Sequence, residues 1–190
     1  MKIKNRAIGL LTTMAVVLVL GSGVALAATA INCRANTICY GTPNPDTMSG
    51  SDLPDYMLAK GGEDTIHGYA DKDTLQGDKG SDHLYGDSGA DKSLWGGAFD
   101  EGTKTYPDNS NDYVHGGSGN DSIFGGIAQG GVDRLYGELG NDRIDASQKH
   151  QEDFKPVTKE IIDCGAGAQD EVYFDKGLDV VTNCEIKHPY

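Results

Sequence analysis

An aspartate recurs every nine residues through the first half of this chain, at Asp46, Asp55, Asp64, Asp73, Asp82 and Asp91. The beat resumes at Asp112 and Asp121 and again at Asp133 and Asp142. A glycine stands five places before most of these acids: Gly41, Gly50, Gly68, Gly77, Gly86, Gly116 and Gly137. An apolar side chain stands two places after: Met48, Met57, Ile66, Leu75, Leu84, Val114, Ile123, Leu135 and Ile144. A short fixed period of this kind points to a solenoid, because one unit has a single apolar residue and buries it only by stacking on its neighbours.

The unit divides in two. Its first six residues carry glycine at positions one and four, which suits a tight turn built on positive φ. Its last three set one apolar residue between two outward ones, the alternation of a very short strand. Two units per coil turn place residues eighteen apart directly above one another, in a parallel ladder roughly 4.8 Å per rung. Asp46, Asp64 and Asp82 then share one edge, and Asp55, Asp73 and Asp91 the other. Two carboxylates about 4 Å apart repel by roughly 4 kcal/mol at an effective dielectric near 20. A hard divalent cation with oxygen ligands answers that repulsion. Calcium suits irregular cages of carboxylates and carbonyls better than magnesium does, and soft metals find no Cys or His at these positions.

The clearest units read GDKGSDHLY from Gly77, GDSGADKSL from Gly86, GGSGNDSIF from Gly116 and GELGNDRID from Gly137. They resemble the RTX-type (haemolysin-type) calcium-binding nonapeptide repeat, GGxGxDxUx with U a large apolar residue. The resemblance implies an all-β fold, a parallel β-roll holding several calcium ions between successive turns. It implies side-chain ligands at position six, here Asp64, Asp73, Asp82, Asp91, Asp112, Asp121, Asp133 and Asp142. Turn ligands would come from Gly77, Gly80, Gly86, Gly89, Gly116, Gly119, Gly137 and Gly140. Departures from the pattern are Asn44 and Leu53 at position four of the first two units, and Asp71 at position four before Asp73. Position one is Ala59 before Asp64, Pro107 before Asp112 and Ala128 before Asp133. The units at Asp46 and Asp55 are therefore expected to act mainly as a cap.

The flanks complete the organisation. Residues 1–27 run from a basic start (Lys2, Lys4, Arg6) through an apolar stretch to Val24-Ala25-Leu26-Ala27, the order of a secretory signal peptide. Cleavage is expected after Ala27, with Ala30 as the second choice; the alternative is an uncleaved anchor. Removing those three cations takes the formal net charge from −13 to −16. Such a charge makes nucleic acid an unsuitable partner and cations a suitable one. Residues 28–40 form an N-terminal cap, 41–145 the roll, and 146–190 a C-terminal cap with strands near Ile161, Val172 and Val181. Four cysteines in an exported chain suggest two disulfides. Of three pairings, local closure favours Cys33–Cys39 and Cys164–Cys184. Between Asp91 and Asp112 the beat breaks. Ser93 takes the apolar slot, so a bulge would bring Leu94 or Trp95 inward, and a loop is expected near 96–111, with Asp100 either in it or beginning a degraded unit.

Catalytic readings fare less well. Gly86-Asp87-Ser88-Gly89 falls inside a repeat turn, no HExxH occurs, and the five histidines lack ligand spacing. Tyr85, Phe124 and Tyr136 follow the apolar slot and read as a ladder of stacked rings. The expectation is a secreted, extracellular, non-catalytic protein whose folding is coupled to calcium. The alternatives are a surface or adhesive component that binds a cell-surface glycan or protein, and a β-helix enzyme acting on polysaccharide with acids around Asp100–Asp108.

Overall fold

The structure is a computed structural model and describes residues 28–35, 37–97, 109–126, 131–147 and 158–190. The leader at 1–27, Asp100 and the acids up to Asp108 lie outside the described residues. Among the described residues sixteen strands follow one another: β1 (Thr29–Asn32), β2 (Ile38–Tyr40), β3 (Asp46–Ser51), β4 (Tyr56–Leu58), β5 (Thr65–Ala70), β6 (Thr74–Asp78), β7 (His83–Ser88) and β8 (Ser93–Gly97). The second half continues with β9 (Tyr113–Ser118), β10 (Ser122–Phe124), β11 (Arg134–Leu139), β12 (Arg143–Asp145), β13 (Ile161–Asp163), β14 (Glu171–Phe174), β15 (Val180–Thr182) and β16 (Ile186–Pro189). Odd strands form one eight-stranded parallel sheet and even strands another, so the chain winds as a two-sheet β-solenoid. No helix among the described residues is long and apolar enough to cross a membrane.

The register follows the apolar beat. In the first sheet Ile31, Met48, Ile66, Leu84, Val114, Leu135, Ile162 and Val181 lie opposite one another from rung to rung. In the second sheet the column is Cys39, Met57, Leu75, Leu94, Ile123, Ile144 and Val172, and it ends at Lys187. From Met48 to Val172 these side chains are fully buried between the sheets. Each strand from β3 to β14 gives the core one such residue, worth about 1.5–3 kcal/mol of burial. No rung is stable alone, and stability is a property of the stack.

Two irregularities resolve as the physics of pairing requires. Leu94, one place late, pairs with Leu75 and Ile123, so the extra residue at Lys92–Ser93 is absorbed as a bulge. Trp95 faces outward and stacks on Phe124 at 4.1 Å. The interruption after β8 leaves the ladder unbroken, since β7 pairs directly with β9 and β8 with β10. The caps are more strand-rich than the sequence suggests, because β1, β2 and β16 continue the ladder. Disulfides join Cys33 to Cys39 and Cys164 to Cys184, as local closure predicts.

Candidate calcium-binding site

The aspartates line the two edges of the solenoid in two columns, and each carboxylate accepts the backbone N–H of the acid one rung earlier. Along one edge, Asp46 donates to Asp64 Oδ1 at 2.7 Å, Asp64 to Asp82 at 2.9 Å, Asp82 to Asp112 at 2.9 Å and Asp112 to Asp133 at 2.9 Å. Along the other, Asp55 donates to Asp73 at 2.8 Å, Asp73 to Asp91 at 2.9 Å, Asp91 to Asp121 at 2.8 Å and Asp121 to Asp142 at 2.9 Å. All eight position-six acids expected from the sequence are buried here. The repulsion expected between stacked carboxylates is thus partly relieved by peptide hydrogen bonds.

The relief stops at one oxygen. Asp64, Asp73, Asp91, Asp121 and Asp142 each bury Oδ2 without a hydrogen-bond partner. Leaving a buried acceptor unsatisfied costs about 1–3 kcal/mol, more when it is charged. Burial therefore pushes the Asp73 and Asp121 carboxyls up to about 7, and those of Asp64, Asp91 and Asp142 up to about 6. The N–H from the rung before opposes this, and neighbouring acids add to it. Asp46 differs: Thr42 N–H donates to its Oδ2 at 2.6 Å and the Thr42 hydroxyl lies 3.2 Å from its Oδ1. That first carboxylate is satisfied within its own turn, as befits a cap.

What the unpartnered oxygen faces is a carbonyl. A methyl group at Gly116 would lie 2.6 Å from Asp121 Oδ2 and 2.7 Å from the carbonyl oxygen of Gly137, one rung on. The same pairing of own carboxylate with next-rung carbonyl recurs beside Gly68, Gly77 and Gly86. Beside these four glycines the cradle has no room for a Cβ, although Ala59 holds position one before Asp64. Positive φ, the reason suggested by sequence, belongs instead to positions two and four. Tyr69, Asp78, Asp87 and Glu138 take φ of 70–81° at position two, and Gly80, Gly89, Gly119 and Gly140 take 118–155° at position four. Non-glycine residues in that region cost about 1–2 kcal/mol each, so the stack holds strain in these turns.

The structure also corrects the counting around the insertions. Pro107 and Ala128 lie outside the described residues, and the position-one places beside Asp112 and Asp133 are filled by Gly96 and Gly125. Both columns run past Asp142: the sequence offers Asp170 as position six of a partial unit over 165–172, and the structure adds Glu160, Asp179 and Glu185. Glu160 accepts the Asp133 N–H at 2.6 Å, Asp179 accepts that of Glu160, Asp170 that of Asp142 and Glu185 that of Asp170. The signal for these was an acid two places before a strand's inward residue, as in Glu160–Ile162 and Asp170–Val172.

Such edges offer carboxylate and carbonyl oxygens alone. Among the described residues no three His, Cys, Asp or Glu side chains converge as a metal site of side chains only would need. A cation held here depends on main-chain oxygens as well, which fits the coordination of calcium and not that of zinc or copper. Comparison with known proteins agrees. The family profile of the RTX calcium-binding nonapeptide repeat, four copies long, matches residues 40–72, 58–92 and 106–144. No curated protein and no solved structure matches the chain. Repeats of this family bind calcium at multiple sites, and the cradles lie where the profile falls. The chain is a β-roll that carries calcium-binding nonapeptide repeats of the RTX family at residues 40–92 and 106–144.

Proposed function

We propose that the protein is an exported, non-catalytic calcium binder whose folding is completed by the ion outside the cell. The observation that carries this reading is the unpartnered buried carboxylate oxygen repeated on successive rungs beside a next-rung carbonyl. Asp64, Asp73, Asp82, Asp91, Asp112, Asp121, Asp133 and Asp142 supply the charged ligands. The carbonyls at Gly86, Gly116 and Gly137, with those of neighbouring turns, supply the neutral ones. Calcium, when bound, contributes the positive charge that lets every one of these acids stay ionised while buried. The chain's own part is to bring the oxygens together, exclude water from them and release the protons they hold.

Low calcium inside a cell leaves the acidic edges under-compensated; millimolar calcium outside supplies the missing charge, so binding energy becomes folding energy. Two disulfides support an oxidising destination. A cut after Ala27 keeps β1 whole, whereas a cut after Ala30 divides it. The Ser88 hydroxyl, in the repeat turn that resembles a nucleophile motif, donates to the Tyr69 carbonyl at 2.8 Å. Nor does the aromatic row favour a sugar platform. His67, Tyr85, His115 and Tyr136 stack in sequence at 4.5, 5.1 and 4.7 Å, so their ring faces already cover one another. Far-ultraviolet circular dichroism and calorimetric calcium titration of the mature chain test the reading. A chelator is expected to abolish the β signal at neutral pH; an unchanged spectrum together with no heat of calcium binding would refute it.

A further inference from the structure

We propose that the C-terminal disulfide and the last cradle form one linked unit: a calcium site built from Asp142, Asp170 and the Cys164 carbonyl, whose affinity depends on the Cys164–Cys184 bond. This rests on the reading of the edge carboxylates as calcium ligands. It extends beyond the matched repeats, which end at residue 144.

In the column through Asp73, Asp91 and Asp121, the carbonyl in each cradle comes from the position-one glycine of the next rung: Gly86, Gly116 and Gly137. Beside Gly137 the partner of Asp142 Oδ2 is instead the carbonyl of Cys164. A cysteine has taken the glycine's place. This unit is also one residue longer, with Asp170 six places after Cys164 in place of five. The Cys164 side chain turns into the core and is fully buried, bonded to Cys184. Its N–H donates to Thr182 at 3.2 Å, so the peptide and the bridge together fix where its carbonyl points.

Asp170 completes the site. Its Oδ1 accepts the Asp142 N–H at 2.8 Å, while its Oδ2 is buried with no hydrogen-bond partner. A methyl group at Gly167 would meet Asp170 Oδ1 at 2.5 Å, Asp170 Oδ2 at 2.7 Å and the Gly140 carbonyl of the rung before, so a main-chain oxygen lies beside this carboxylate too. The N-terminal bridge has no such role: the cradles nearest to it, beside Gly41 and Gly50, take their carbonyls from Ala59 and Gly68. It therefore serves as an internal control.

Binding couplings are reciprocal. If the bridge tightens calcium at this site, calcium protects the bridge from reduction by the same factor. Dithiothreitol supplies the two electrons. The Cys164–Cys184 bond breaks, each sulfur ends as a thiol, and the reagent closes to its cyclic disulfide. Reduction equilibria of the full mature chain, read bridge by bridge after alkylation and mass analysis, are measured in calcium and in chelator for wild type and Asp170→Asn. Calcium titrations of wild type, C164S/C184S and C33S/C39S accompany them.

In wild type, calcium is expected to make Cys164–Cys184 at least tenfold harder to reduce, roughly 30 mV for a two-electron couple. Asp170→Asn is expected to remove most of that protection, while the reduction of Cys33–Cys39 is the same in calcium and chelator for both chains. C164S/C184S is expected to bind one calcium fewer, or that one at least tenfold more weakly, and C33S/C39S to titrate as wild type. Should C164S/C184S fail to fold, the Asp170→Asn measurement decides alone. An equal calcium shift at both bridges, or none at either, overturns the proposal while calcium binding elsewhere stands. A wild-type chain that binds no calcium overturns both this and the function on which it rests.

Discussion

Acid should substitute for calcium in this fold. In the folded chain the carboxyls of Asp64, Asp91 and Asp142 titrate at about 6 and those of Asp73 and Asp121 at about 7, against 3.8 for an exposed aspartate. A raised folded-state value means that the folded chain holds more protons than the unfolded one between those limits. The stabilisation from these protons is complete below about pH 4 and is lost as pH rises through 6 to 7. At about 1.4 kcal/mol per unit, each group costs the calcium-free fold roughly 3–4 kcal/mol above that range. Five such groups together exceed the whole folding free energy of a domain, about 5–15 kcal/mol. The assay is circular dichroism in chelator across that range, repeated with calcium. The β signal is expected to be lost between about pH 6 and 7 in chelator and to persist through it in calcium, because ionised ligands are then compensated. A calcium-free spectrum that stays constant from about pH 8 to pH 5 would refute the placement of these carboxylates in a dry, uncompensated edge.

Substituting a single ligand should change sign with calcium. Asp121→Asn keeps the acceptor for the Asp91 N–H and sets an amide donor beside the Gly137 carbonyl, so it should stabilise the calcium-free fold by up to about 4 kcal/mol above pH 7 and weaken calcium binding at least tenfold. Urea unfolding with and without calcium would show it. Gly116→Ala drives a methyl into the Asp121 and Gly137 oxygens and is expected to cost about 1–3 kcal/mol and one calcium ion by titration. Gly177→Ala is the control for that variant: nothing lies within 4 Å of its would-be Cβ, and its φ of 83° should cost about 1 kcal/mol with full calcium stoichiometry. Leu84→Ala, in the fully buried column between Ile66 and Val114, should lose about 2–5 kcal/mol in thermal or urea unfolding while keeping its calcium count.

The nine-residue beat made the two columns legible because it fixes both the acid and the inward residue of each rung. Where the beat held, from Asp46 to Asp91, the register between Met48, Ile66 and Leu84 followed directly. Where it failed, the spacing concealed what the ladder restores. Gly96 serves Asp112 across an insertion because the sheet hydrogen bonds reconnect β7 to β9 whatever lies between. Glu160 and Glu185 were hidden by the lack of glycine around them, although a longer carboxylate reaches the same N–H as well as an aspartate does, and Asp179 had Gly177 two places before it but Phe174 at position one. The reason for glycine at position one was also out of sight. It depends on an oxygen delivered from the next rung, and only the three-dimensional stack shows that neighbour.

The chain of peptide donors and carboxylate acceptors has a polarity. Every rung is completed by the one that follows it in the sequence, so Asp46 waits for Asp64, and Asp142 waits for Asp170, which in turn waits for Glu185. A polypeptide synthesised from its N-terminus therefore cannot finish its earliest coils by itself. A fragment stopping after β12 would leave the Asp133 and Asp142 amides facing nothing, with its uppermost rungs the first to fray.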